Sequence, residues 1–135
     1  TFVGSPLPRD EAFYQGLQSK AKEAGLSGVV SFLPAVPNKS TPDLYRAHEI
    51  FVNASPSGML DKTIFEAAAC GCTVLAASVD WKGVVGNEYF FRDTVELQQR
   101  LKPCIVQSKE TRSKKNDELF RAQSVSALAK RLSEV

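Results

Sequence analysis

Apolar residues in this chain come in short, unalternating runs separated by stretches of helical period. Thr1-Phe2-Val3, followed by Gly4, reads as the end of a buried strand closing on a glycine turn. A strand already under way at the first residue predicts that the chain is a piece of a longer one. Residues 10–24 then put Phe13, Leu17, Ala21 and Ala24 on one helical stripe, which Gly25 ends. Val29, Val30, Phe32 and Leu33 predict a second strand, stopped by Pro34 and Pro37. Thr41 is placed to cap a short helix with Pro42 in its first position. Ile50 to Asn53 predicts a third strand. A helix from about Asp61 carries Ile64, Phe65, Ala67 and Ala68 on its apolar face and has Gly71 as its left-handed C-cap. Residues 73–77 predict a fourth strand.

Past Ser78 the pattern is thinner. Residues 79–88, with Gly83 and Gly86, predict a loop with a helical turn, and Tyr89-Phe90-Phe91 a short edge strand. Asp93 is placed to cap a helix over residues 94–101 that Pro103 closes. From Lys109 onward the propensity is helical, with Leu119, Phe120, Val125, Leu128, Ala129 and Leu132 as its apolar members. Strands without alternation, separated by helices, are the pattern of a parallel sheet covered on both faces. The fold class expected is therefore α/β, a doubly wound parallel sheet. Its ligand belongs outside the carboxyl ends of the strands. The expected organisation is a single domain over residues 1–135, an α/β lobe over 1–103 followed by C-terminal helices over 104–135.

Composition narrows this only a little. At 135 residues, 43% hydrophobic and 24% charged, the chain suits one ordered domain with a real core. A net charge of +2 gives no reason to expect a nucleic-acid partner, and the basic cluster at residues 109–115 reads as a solvated face. No apolar run reaches membrane-spanning length and no signal-peptide pattern opens the chain. Cys70, Cys72 and Cys104 cannot all pair, and Cys70-Gly71-Cys72 is too tight for a zinc knuckle. Free thiols in a reducing compartment are expected, and no metal.

The chemistry concentrates in residues 53–72. Asn53-Ala54-Ser55-Pro56-Ser57-Gly58 supplies turn residues between a strand end and a helix start. Unpaired N–H groups and the positive end of a helix dipole point outward there, as an anion requires. Thr63-Ile64-Phe65-Glu66 has two readings: a capping box, with Glu66 bonded to the Thr63 backbone, or a carboxylate available to a ligand. Lys62 is either a solvated lysine or a phosphate contact; a cation in the first turn opposes the dipole, which favours the second. His48 reads as a surface or core histidine, and Trp81 as packing or cleft lining.

Residues 44–52, Leu44-Tyr45-Arg46-Ala47-His48-Glu49-Ile50-Phe51-Val52, are followed by Ser55-Pro56-Ser57 and by Glu66-Ala67-Ala68-Ala69-Cys70-Gly71-Cys72-Thr73-Val74. Together they resemble the C-terminal half of the group 1 family of retaining GT-B glycosyltransferases. The likeness extends from Phe2-Val3-Gly4 through residues 30–36 to the last ten residues, and is most specific over 44–76. It implies a Rossmann-like lobe of a GT-B fold that binds a nucleotide-sugar, UDP- or GDP-linked, as donor. No other cofactor is implied. An N-terminal lobe would bind the acceptor and complete the site, and any membrane contact would come through that missing part. The implied setting is cytoplasmic, in polysaccharide or glycolipid synthesis. Glu66 matches the family's ribose-binding glutamate. The first glutamate of the family's pair falls at position 58, which is Gly58 here. Asp61 is the nearby carboxylate that could partly replace it as a catalytic group. Gly58, Met59, Leu60, Asp61, Lys62 and Thr63 match the segment that holds the diphosphate; Val36 and Asn38 lie where the nucleobase is met. The alternative is a non-catalytic nucleotide-binding or assembly domain that keeps the fold. A dehydrogenase fits poorly, because Ser5-Pro6-Leu7-Pro8 stands where a glycine-rich fingerprint is needed.

Overall fold

The structure is a computed structural model, and it describes residues 1–55, 61–79, 89–106 and 116. Expectations placed on Gly58, Met59, Leu60, Trp81, the loop beyond Val79 and the C-terminal helices other than Asn116 lie outside these residues. The elements alternate in the order anticipated: β1 (Phe2–Val3), α1 (Glu11–Glu23), β2 (Phe32–Leu33), α2 (Thr41–Arg46), β3 (Ile50–Asn53), α3 (Lys62–Ala69), β4 (Thr73–Ala76) and α4 (Thr94–Ile105). Both strand pairs are parallel, β1 with β2 and β3 with β4. The chain divides into two compact units, Thr1–Thr41 and Pro42–Val135.

In the first unit, Phe2 pairs with Phe32 and Val3 with Leu33. The two phenyl rings stack with centroids 5.1 Å apart, and Tyr14 of α1 meets Phe32 edge-on at 5.7 Å. These strands were expected to be buried, but Phe2 is 56% exposed. The second strand is also shorter than its pattern: Val29 lies in a turn and is exposed, and pairing starts at Phe32. No residue of α1 is buried. Leu17 and Ala21 of the anticipated stripe are half-buried, but Phe13 is 71% exposed, and Tyr14 beside it is the half-buried aromatic that meets the edge of Phe32. Thr41 is not the cap of α2 but its first residue; a 3₁₀ turn over Asn38–Ser40 leads into it, and the Thr41 hydroxyl donates to the Asn38 carbonyl at 2.8 Å.

The second unit is built around β4. Val74 and Ala76 point to one cluster with Tyr45, Ile64, Ala67, Ala68 and Cys72, packed against by Phe51. Leu75 points the other way, against Phe91 and Cys104, with Ile50, Leu97 and Leu101 at the margin. Successive strand residues face opposite sides, so an unalternating apolar run is what a strand covered on both faces needs. A parallel bridge from Ala76 to Phe90 adds a pairing on the far side of β4. β3 is less covered than its sequence implies, with Val52 40% exposed. Asp93 caps α4 as expected, accepting from the Glu96 N–H, while Glu96 reaches back to the Arg92 backbone and guanidinium. Pro103 does not close that helix, which continues to Ile105. Pro103 forgoes the bond to the carbonyl four residues earlier and its ring crowds that carbonyl; Cys104, just beyond it, is buried against Leu75.

Two glycines end helices as the sequence indicates. After α3, the Gly71 N–H bonds the Ala68 carbonyl and the Cys72 N–H the Ala67 carbonyl, both at 3.0 Å, with Gly71 at φ +96°. Gly25 closes α1 in the same way at φ +70°. This is the Schellman arrangement, and it suits residues without a Cβ. The space around a Cβ at Gly71 is empty, so a substitution there meets only backbone strain. Gly71→Ala is expected to destabilise the protein by about 1–2 kcal/mol. Gly16→Ala, inside α1 with equally open surroundings, is expected to stabilise it by about 0.5–1 kcal/mol. Urea unfolding of the two variants against the parent measures both signs.

Candidate functional site at the start of the third helix

The loop between β3 and α3 begins and ends on one side chain. Asn53, the last residue of β3, is 8% exposed. Its Oδ1 accepts from the Ser55 N–H at 2.9 Å, and its Nδ2 donates to Asp61 Oδ2 at 2.8 Å. The other oxygen of Asp61 accepts from the Thr63 N–H at 3.0 Å, which makes Asp61 the N-cap of α3. The carboxyl end of β3 and the start of α3 are thereby fastened together. Burial works to raise the Asp61 carboxyl, but the bonds from Thr63 and Asn53 outweigh it and hold the group below its ordinary range. At the same edge of the sheet, the Ala77 N–H bonds the Asn53 carbonyl at 2.9 Å and places Ser78 next in line. The Ser78 hydroxyl is buried and has no hydrogen-bond partner among the described residues.

This geometry excludes the capping-box reading of residues 63–66. Thr63 is the second residue of α3 rather than its cap, and its N–H is already taken by Asp61, so no capping box forms. Glu66 turns instead toward α2, where its Oε2 accepts from the Tyr45 hydroxyl at 3.3 Å. Lys62 and Glu66, one turn apart, are both exposed, while Ile64, Ala67 and Ala68 on the opposite side are buried. The Ile64 N–H also bonds the Asp61 carbonyl. The helix start is consequently less open to an anion than its sequence implies: two of its N–H groups are bonded to Asp61. Helix geometry gives the Lys62 N–H, at the first helical position, no partner within the helix.

Tyr45 and Asn53 are the residues that sequence reasoning passed over as side chains of the site. Nothing in local spacing marks either: Tyr45 precedes Glu66 by 21 residues, and Asn53 reads as ordinary turn chemistry. Tyr45 is 9% exposed, lies edge-on to Phe51 with centroids 5.6 Å apart, and its carbonyl accepts from the Cys72 thiol at 3.2 Å. Burial, then the charge of Glu66 and the bond to it, push the Tyr45 phenol up to about 12. His48 has a structural place: its Nδ1 lies 2.8 Å from the Leu44 carbonyl, and since a carbonyl only accepts, Nδ1 carries the proton. Cys70, Cys72 and Cys104 are thiols, not joined in a disulfide among the described residues. Asn116 donates to the Ala68 carbonyl at 2.8 Å at the opposite end of α3. Val36 and Asn38 belong to the first unit, and Asp61, Lys62, Thr63 and Glu66 to the second.

An α/β unit with a polar site at the carboxyl edge of parallel strands, where a helix begins, belongs to a broad class of ligand-binding domains. Comparison with known proteins narrows the class. The family model described as "Glycosyl transferases group 1" matches residues 1–107, and the chain belongs to that family. It is 39% identical over 77 residues to the D-inositol 3-phosphate glycosyltransferase of Streptomyces scabiei, a match covering 57% of this chain and 17% of that protein. The enzymes of the same name from Thermomonospora curvata and Rhodococcus erythropolis are 35% identical over 77 residues and 34% over 82. Those matches cover 57% and 61% of this chain, and 18% and 19% of the relatives. The chain thus spans less than a fifth of the length of these curated relatives. No solved structure matches it. No described helix is long and apolar enough to cross a membrane.

Asp61→Ala is expected to cost about 1–3 kcal/mol at neutral pH, from the lost cap and the stranded Asn53 amide. The folded-state carboxyl lies below its ordinary value. Its contribution is therefore complete above the unfolded value, roughly 4, and is lost as pH falls through the folded value. Urea unfolding at neutral pH and at successively more acid pH should show the gap between parent and variant closing. An alkaline phenolate titration of the chain, which has three tyrosines, should show one group ionising near 12. That step should vanish in Tyr45→Phe.

Proposed function

We propose that this chain is the donor-binding part of a retaining GT-B glycosyltransferase, which takes a sugar from a UDP- or GDP-sugar and passes it to an acceptor. The observation that carries the reading is Glu66: exposed on α3, one turn beyond Lys62, in a chain matched by the group 1 family model. A fixed carboxylate accepts hydrogen bonds from the two ribose hydroxyls. Four residues of helix rise about 6 Å, a span suited to neighbouring groups of one nucleotide. Lys62, through its ammonium and its own N–H, meets the diphosphate, helped by the backbone of Gly58, Met59 and Leu60. Thr63 supports this cradle through its bond to Asp61. Asp61 has both oxygens engaged with Thr63 and Asn53, and works here by positioning the cradle rather than by moving a proton. Val36 and Asn38 meet the base.

The rest of the reading follows from this placement. Within the second unit, the parallel β3–β4 pair and the two covered faces of β4 support a Rossmann-like, doubly wound sheet. The departing nucleoside diphosphate is stabilised by the Lys62 ammonium and the Lys62 N–H, chemistry that needs no metal. The acceptor is held by an N-terminal lobe, in the cytoplasm, and any membrane contact belongs to that lobe. The relatives' named acceptor is D-inositol 3-phosphate, but the shared stretch bears on the donor side and leaves this chain's acceptor unassigned. Gly58 favours a second reading, a non-catalytic nucleotide-binding or assembly domain. It is separated from the first by whether a nucleotide-sugar is consumed when the acceptor lobe is present.

The test is titration of the chain with UDP, GDP and ADP while backbone amide shifts are followed. UDP or GDP is expected to move Lys62, Thr63 and Glu66 together with Val36 and Asn38, and Glu66→Gln to weaken binding about tenfold or more. No shift with any of the three would overturn the reading.

A further inference from the structure

We infer that Tyr45 is the positioning residue for Glu66, holding one carboxylate oxygen so that the other is presented to a ribose cis-diol. The inference rests on the proposed ribose role of Glu66 and deepens it, since it makes a buried phenol a determinant of sugar discrimination in the nucleotide. Glu66 stands on an exposed helical stripe. A glutamate there has three side-chain torsions to order when a ligand binds, and that ordering opposes affinity. Tyr45 supplies a fixed point. Its ring is buried and lies edge-on to Phe51, and its carbonyl is held by the Cys72 thiol. The hydroxyl donates to Glu66 Oε2, and the described residues offer Oε1 no partner. At 3.3 Å the bond is long for O–H···O. It steers the carboxylate without saturating it, so lone pairs remain on both oxygens for two ligand hydroxyls. The phenol, pushed up to about 12, stays a donor throughout the physiological range. A donor beside an acceptor-only carboxylate is a one-way arrangement, and it leaves the carboxylate able to receive only ligand donors, which a 2′,3′-diol has and a dideoxyribose lacks.

The test compares UDP or GDP, whichever binds, with its 2′,3′-dideoxy counterpart, on the parent chain and on Tyr45→Phe. The phenylalanine keeps the ring against Phe51 and removes only the hydroxyl. The expected result is a roughly threefold to tenfold loss of affinity for the ribonucleotide and no change for the dideoxy ligand. In a Glu66→Gln background the same substitution should have little further effect, because the two residues act as one unit. A second measurement needs no variant: the Tyr45 ring resonances of the parent chain should move with the ribonucleotide and stay in place with the dideoxy form. Equal weakening of both ligands, or of neither, would reduce Tyr45 to packing and overturn the inference while leaving the role of Glu66 intact. If the parent chain binds the two forms equally, or binds neither, the ribose role of Glu66 fails and the inference fails with it.

Discussion

The two hydrogen bonds of the Asn53 amide, to the Ser55 N–H and to the Asp61 carboxylate, fix where α3 begins relative to the strands. An amide buried at a strand end needs both its donor and its acceptor satisfied, and here the partners are the two ends of the connecting loop. One oxygen of Asp61 completes that closure and the other caps α3. The placement of Lys62 and Glu66 at the carboxyl edge of the sheet depends on this join, because both ride on the helix it anchors. The far end of α3 is held equally firmly, by the Gly71 turn and by Asn116.

The two-faced packing of β4 supports the same arrangement from below. Its odd and even positions feed separate clusters, one shared with α2 and α3, the other with α4. Tyr45 belongs to the first of these, so the residue that touches Glu66 is part of the core. The energetics of the site and of the fold are thus joined at Tyr45: packing against Phe51 sets the ring, and the ring sets the hydroxyl. An exposed carboxylate gains a defined direction from a buried neighbour, which solvent alone would not give it.

Membership of the group 1 glycosyltransferase family gives this edge its context. Both oxygens of Asp61 are engaged there, one by the Thr63 N–H and the other by the Asn53 amide. Lys62 and Glu66 are the charged side chains of α3, and both are exposed.

By itself the sequence determined the alternation of strands and helices, the runs that become β3 and β4, and three of the residues that stop or cap helices. Gly25, Gly71 and Asp93 were legible because their effects are local: a left-handed turn or a side-chain cap involves neighbours a few residues away. The stripe over Ile64, Ala67 and Ala68 was legible for the same reason, since helical period alone brings those residues together. Tertiary structure decided the rest. That Tyr14 rather than Phe13 is the half-buried aromatic of α1 went with its contact to the ring of Phe32, and the persistence of α4 past Pro103 went with the burial of Cys104. The Asn53–Asp61 join and the Tyr45–Glu66 contact link residues separated by a loop or by a whole strand. No periodicity records such pairs, because their separation along the chain is set by the connection and their contact by packing.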